Sequence, residues 1–195
     1  MIESEYETLR DIKRVAVLGA GLRPLKDYNV GKFAGLEEEL NGDICSPVNV
    51  DIRDYPSTDK VADLNKPKWS EFGDNEFHIV IAEHIAEHMR ERLDFVDECL
   101  RITKNEGLLI IEVPNWKHDS AHCTLEHYTT WGRAIFDDSY INEWGKRWKI
   151  ERVMYRMTMP FTWKSFYVPS EFLGRQIDRF THQISGLRFF IRVKK

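Results

Sequence analysis

Arg14-Val15-Ala16-Val17-Leu18-Gly19-Ala20-Gly21 is the stretch on which the fold turns. A short β-rich run passes directly into Gly-Ala-Gly, which reads as a strand followed by a tight loop. Glycines at that point permit the turn and let a ligand approach the backbone closely. Val30, Phe33, Leu36, Glu37 and Leu40 follow at helical spacing, and Asn41-Gly42 stops that helix. Val48 to Ile52 reads as a second strand with Asp51 near its end, and Val61-Ala62-Asp63-Leu64 as a very short third. Phe77 to Ala82 is a nearly continuous apolar run, as expected of a strand buried on both faces. Met89, Leu93, Val96 and Leu100 mark one face of an amphipathic helix. Leu108 to Val113 is another buried strand, closed by Pro114-Asn115. Strands thus alternate with helices from 14 to 113, which predicts an α/β fold: a doubly wound, mostly parallel sheet with helices on both faces.

After residue 114 the pattern changes. Residues 118–130 are polar and rich in histidine, and Ser139 to Trp148 reads as a short helix. Lys149 to Met157 and Leu187 to Val193 read as strands that pair as an antiparallel end of the sheet. The segment 158–175 between them is aromatic and holds Pro160 and Pro169. The 195 residues suit a single domain, with 14–115 as its alternating part and 116–195 as a differently patterned end that holds the C-terminal strands.

The net charge of -4 hides an asymmetry. Residues 1–143 carry 16 Lys/Arg against 29 Asp/Glu, whereas 144–195 carry 12 against 3. Two readings stay open. The basic end neutralises the acidic body of its own domain, or it faces an anionic substrate, nucleic acid or a membrane surface. The opening Met1-Ile2-Glu3-Ser4-Glu5 has no basic, then apolar, leader pattern, and the apolar run Leu108–Ile111 is far too short to span a bilayer. Cys45, Cys99 and Cys123 are odd in number and form no C-x-x-C pair. The expectation is a cytoplasmic protein.

Several stretches carry chemistry. In Gly19-Ala20-Gly21-Leu22-Arg23-Pro24, Pro24 stands where a dinucleotide fingerprint has its third glycine, which disfavours a pyrophosphate ligand and costs less for a cofactor without phosphate. A plain strand-to-helix turn would read the same way. Asp51, at the end of the second strand, can accept hydrogen bonds from both hydroxyls of a ribose, or can simply be a solvated carboxylate. Asp63, just past the third strand, can accept from an adenine amino group, or be a turn residue. His84-x-x-Glu87-His88 is the pattern of inverted zinc peptidases, in which two histidines four apart on a helix share a metal. His118, His122, Cys123 and His127 crowd the next loop, as metal donors, as a polar lid with a base, or as solvated surface.

Taken together, these pieces resemble the class I S-adenosylmethionine-dependent methyltransferases, in a small methyltransferase-11-like branch. The matching pieces are Val17-Leu18-Gly19-Ala20-Gly21, Asn49-Val50-Asp51-Ile52, Ala62-Asp63-Leu64 and Phe72-Gly73-Asp74-Asn75-Glu76-Phe77. They continue through Glu83-His84-Ile85-Ala86-Glu87-His88, Glu98-Cys99-Leu100-Arg101 and Gly107 to Asn115. Asp119 to His122 and Tyr128-Thr129 resemble a D-P-T-H…F-T segment of the same group. The chain departs from the pattern at Arg23-Pro24 and at Thr103-Lys104-Asn105-Glu106-Gly107, which has one glycine where two are usual.

The resemblance implies a Rossmann-like fold, S-adenosyl-L-methionine as cofactor, and no bound metal. It implies that Gly19, Ala20 and Gly21 pack against the methionine part, that Asp51 and Ile52 hold the ribose, and that Asp63 and Leu64 contact the adenine. Glu83 and His84 would lie under the sulfonium. For a base, the candidates are His122, His127 and Glu83. The N-P-P-Y and D-P-P-Y signatures of nucleic-acid base methylation are absent, so a small-molecule, glycan or lipid-linked acceptor is expected. Two rival functions remain: a methyltransferase-fold binding subunit without catalysis, and a zinc hydrolase using His84, Glu87 and His88.

Overall fold

The computed structural model describes residues 13–22, 45–136, 148–158, 165–181 and 183–195. The expected helix around 30–40, the Arg23-Pro24 pair and most of the expected helix 139–148 lie outside the described residues.

The apolar runs form the strands. They are β1 (Lys13–Leu18), β2 (Cys45–Asp51), β3 (Lys60–Val61), β4 (Phe77–Glu83), β5 (Thr103–Pro114), β6 (Trp148–Thr158), β7 (Ser165–Tyr167) and β8 (Ile184–Val193). They make one sheet in the order β3-β2-β1-β4-β5-β8-β6-β7. Neighbours from β3 to β5 are parallel, and β8, β6 and β7 join antiparallel. The fold is therefore the expected Rossmann-like, mostly parallel sheet, with β6 and β8 paired as anticipated. The third strand is shorter than expected, so Asp63 sits two residues past its end. Residues 103–107 open β5 irregularly: Thr103 stands opposite Phe77, the register shifts before Leu108, and Glu106 has φ +58°.

The chain runs outward from β1 to β3, then returns across β1 to β4. This reversal leaves a crevice between the carboxyl ends of β1 and β4, the place where open α/β sheets bind ligands.

Two α-helices are described, α1 (Arg92–Ile102) and α2 (Glu171–Phe180). Both pack on one face of the sheet. Phe95, Val96, Cys99, Leu100 and Ile102 of α1 join Val80, Ala82, Leu109, Ile111, Leu187 and Phe189 in the larger core cluster. Ile177 of α2 packs against the same cluster, and Gly174 lets the helix lie on the Tyr155 ring. The other face presents Val15, Val17, Ile79, Ile81, Leu108, Ile110 and Phe190.

Leu93 is a correction to the helical pattern: it is 63% exposed, while Met89 is buried in the turn before α1. Glu98 takes a buried place instead, because Arg101 grips both its oxygens at 2.7 Å and the Trp69 N–H donates to it. No helix among the described residues is long and apolar enough to cross a membrane.

Candidate active site

The loop after β1 is built by backbone conformation. Gly19 has φ +68° and Gly21 φ +57°, in the left-handed region that side chains disfavour. A Cβ on Gly19 would lie 2.8 Å from Ile85, whereas one on Gly21 would meet open space. The loop is tied to β2 from both sides. Ala20 N–H donates to Val50 O at 3.0 Å, and Gly21 N–H donates to Asp51 Oδ2 at 2.9 Å.

Asp51 ends β2, half-buried. Its Oδ1 accepts from Arg53 N–H at 3.0 Å. Each carboxylate oxygen thus holds one backbone donor and keeps further lone-pair capacity for ligand hydroxyls. Ile52, beside it, is 61% exposed at the rim. Ala62 N–H donates to Asp51 O at 2.9 Å, which brings the Asp63 turn alongside. Asp63 Oδ1 accepts from Asn65 N–H at 3.0 Å, and Leu64 is buried next to it.

Glu83 ends β4, and the chain turns at once. His84 adopts φ +52°, and its N–H donates to Glu112 O at 2.9 Å. A histidine in the left-handed region marks strain of the kind found at functional sites. His84 donates from Nδ1 to Glu87 Oε1 at 3.1 Å and accepts at Nε2 from Arg156 at 3.1 Å, since a guanidinium can only donate.

Around these two residues lies a charged cluster that sequence reading missed. In the strand register Glu83 stands opposite Glu112, and Glu112 opposite Arg188. Glu112 is 1% exposed. It is bound by Arg188, by Arg156 Nη1 at 3.1 Å, and by the Tyr167 hydroxyl, which donates at 2.7 Å. Gly186 leaves room for the Arg156 side chain to cross the sheet.

Burial alone would raise the Glu112 pKa, but Arg188 and Arg156 hold it below the ordinary carboxylate range. Glu83 goes the other way. Its side chain is 40% exposed, so it is only partly desolvated at the strand end; that, then the Glu112 charge, pushes its pKa up, and Arg188 at 3.6 Å only partly offsets this. Burial and Glu112 also push the Tyr167 phenol up, so it stays a donor.

Residues 41–111 match a family model described as a methyltransferase domain. Solved structures share the fold of this chain. A SAM-dependent methyltransferase from Archaeoglobus fulgidus superposes with a TM-score of 0.59 at 19% identity, covering 95% of this chain and 87% of that one. The 4+2 cyclase SpnF gives 0.57 at 11% identity, over 95% and 77%. A chain from a complex of the Haloferax volcanii Trm112 methyltransferase activator with a methyltransferase gives 0.55 at 12% identity, over 95% and 84%. No curated protein matches the sequence.

S-adenosylmethionine is the cofactor that the matched methyltransferase domain implies. The residues present fit it: open space over Gly21, a carboxylate at the end of β2 with acceptor capacity for two hydroxyls, and no phosphate-binding third glycine.

The loop histidines make local contacts. His122 donates from Nε2 to Trp116 O at 2.8 Å, and His118 caps the short turn Asp119–Ala121. His127 stacks edge-on against His88, with ring centroids 4.8 Å apart. The H-x-x-E-H segment is not one helix. Only Ala86–His88 forms a single 3-10 turn, and His84 precedes it, so the helical pairing that the zinc-peptidase pattern needs is missing. Glu112 and Arg188 each had one signal in the sequence: a charge that interrupts an apolar run, Leu108–Val113 for the first and Leu187–Ile191 for the second.

Proposed function

We propose that the protein binds S-adenosylmethionine across the carboxyl ends of β1 to β4 and methylates an acceptor held over the Glu83–Glu112 end of the sheet. The observation that supports this most strongly is the bond from Gly21 N–H to Asp51, which joins a glycine loop to a ribose-type acid at the topological switch. When bound, the cofactor supplies a methyl group on a sulfonium, and in-line transfer then requires mainly alignment and exclusion of water.

The residues divide the work. Gly19, Ala20 and Gly21 offer backbone to the methionine part, Asp51 and Ile52 the ribose contacts, and Asp63 and Leu64 the adenine contacts. Glu83 is the base we favour. Its raised pKa makes it a better proton acceptor than an ordinary carboxylate, and it stands at the strand end beside the strained His84. His122 and His127 are engaged with backbone carbonyls and serve the loop instead.

Much of the basic C-terminal end is used internally. Arg156 and Arg188 pair with Glu112, Arg192 with Glu151, and Lys194 with Glu106. This favours a small or glycan-type acceptor over a nucleic-acid or membrane surface.

The test is methyl transfer from labelled cofactor to panels of hydroxyl- and amine-bearing acceptors. Glu83→Gln should lower kcat by roughly 10²–10⁴-fold. Tight cofactor binding with no transfer to any class would point to the non-catalytic binding subunit.

A further inference from the structure

We propose that Glu87, His88 and His127 form a site for a divalent transition-metal ion, zinc by its donor set, which clamps the 115–131 loop onto the turn after β4. The three side chains come from two separate segments, and each offers one ligand atom within 4.8 Å of the others.

The hydrogen bonds of the two rings decide which nitrogens are available. His88 Nδ1 lies 3.0 Å from Glu126 O, and His127 Nδ1 lies 3.3 Å from Ala121 O. A carbonyl oxygen only accepts, so both Nδ1 atoms carry hydrogen, and the neutral rings present bare Nε2 lone pairs. Imidazoles oriented by a carbonyl on one nitrogen are the usual metal-ligating arrangement. The third donor makes the case sharper. Glu87 is 2% exposed; its Oε1 accepts from His84, and its Oε2 has no partner. A buried carboxylate oxygen without a donor is costly, and a cation would satisfy it.

Two histidines and a carboxylate suit zinc, with a fourth position left to water. Donors around tetrahedral zinc at ~2.0–2.1 Å lie roughly 3.4 Å apart, so side-chain rotation must draw the three together. The backbone is already fixed for this, because Thr129 N–H donates to Glu87 O at 3.2 Å and its hydroxyl to Ala86 O at 3.2 Å. His84 is not a ligand. It orients Glu87 from the cofactor side and so joins the metal clamp to the Glu112 cluster.

The experiment strips the full chain with a chelator, then titrates zinc calorimetrically and follows cobalt(II) spectra. We expect one zinc per chain, and at ~100 times Kd a rise in the unfolding midpoint of roughly 5–10 °C. The His88→Asn, His127→Asn double variant replaces each Nδ1–H by an amide N–H, keeping a donor for each carbonyl. It should fold and lose the site. Glu87→Gln is a second variant should the first not fold, with the same loss expected. Zinc bound equally by wild type and a folded variant, or not bound by wild type, overturns the proposal. Cofactor affinity is measured on the same samples. Wild type that binds cofactor but no zinc refutes the clamp alone, and wild type that binds zinc but no cofactor refutes the methyltransferase reading alone.

Discussion

Glu112→Gln is the perturbation that reads the buried cluster most directly. The carboxylate is 1% exposed and is the anion shared by Arg188, Arg156 and the Tyr167 hydroxyl. The amide removes the charge and turns an N–H toward two guanidiniums, which cannot accept, and a phenol that now donates. Breaking a buried pair from one side costs about 3–5 kcal/mol. Two features lower that here: the Arg156 side chain is 26% exposed and can rehydrate, and Glu83 lies 3.6 Å from Arg188 as a second anion. A cost of about 3 kcal/mol follows, or a fall in midpoint of roughly 6–12 °C for a chain of this length. Pairing the variant with Arg188→Met should recover part of the loss, since the uncompensated guanidinium is then gone.

The pH dependence has a definite sign. The folded pKa of Glu112 lies below its unfolded value, so its stabilisation is complete above the ordinary carboxylate range and is lost as pH falls through the folded value. The gap between wild type and Glu112→Gln must therefore close on acidification. Thermal melts monitored by circular dichroism across that range are the assay. A variant melting with wild type at neutral pH, or a gap that widens in acid, would refute the reasoning.

Further outcomes follow from the same structure. Glu83 has a raised folded pKa, so ionising it costs stability as pH rises from its unfolded value to its folded one; Glu83→Gln should melt higher than wild type at neutral pH while losing turnover. Gly19→Ala should cost more than Gly21→Ala. Both force a left-handed residue at about 1–2 kcal/mol, but only the first drives a Cβ to 2.8 Å from Ile85. Chemical denaturation of the two variants gives the comparison. Arg101→Ala should cost about 3 kcal/mol by leaving Glu98 buried without its cation and the Trp69 and Phe72 carbonyls without a donor. Arg101→Lys should rescue little of it, because one ammonium cannot replace the fork; equal midpoints for Lys and wild type would contradict this.

What could be read from the sequence was local. Arg14–Leu18 and Phe77–Ala82 are long enough, and apolar enough, to declare buried parallel strands. The glycines after β1 and the acids after β2 and β3 follow from where those strands stop. The short α2 was missed because Phe172 and Phe180 are each 74% exposed, so its apolar residues do not trace one buried face. Its cap was nonetheless present: Ser170 follows Pro169, and its hydroxyl accepts from Leu173 N–H at 3.1 Å. The charges of the Glu112 cluster stood out in their apolar runs, but their meeting was not legible, because it depends on register. One residue of slip between β5 and β8 would put Arg188 on the other face. The His84-Glu87-His88 spacing misled for a related reason: the pattern assumes a helix, and a left-handed His84 ends the strand instead.

The central claim is that Asp51 and the Gly19–Gly21 loop hold S-adenosylmethionine, and calorimetric titration of the cofactor into wild type and Asp51→Ala tests it most directly. The account predicts one site in wild type and an affinity loss of roughly 10²–10⁴-fold in the variant, from two charge-assisted hydrogen bonds. Wild type that binds no cofactor, or a folded Asp51→Ala that binds it equally well, would contradict the account.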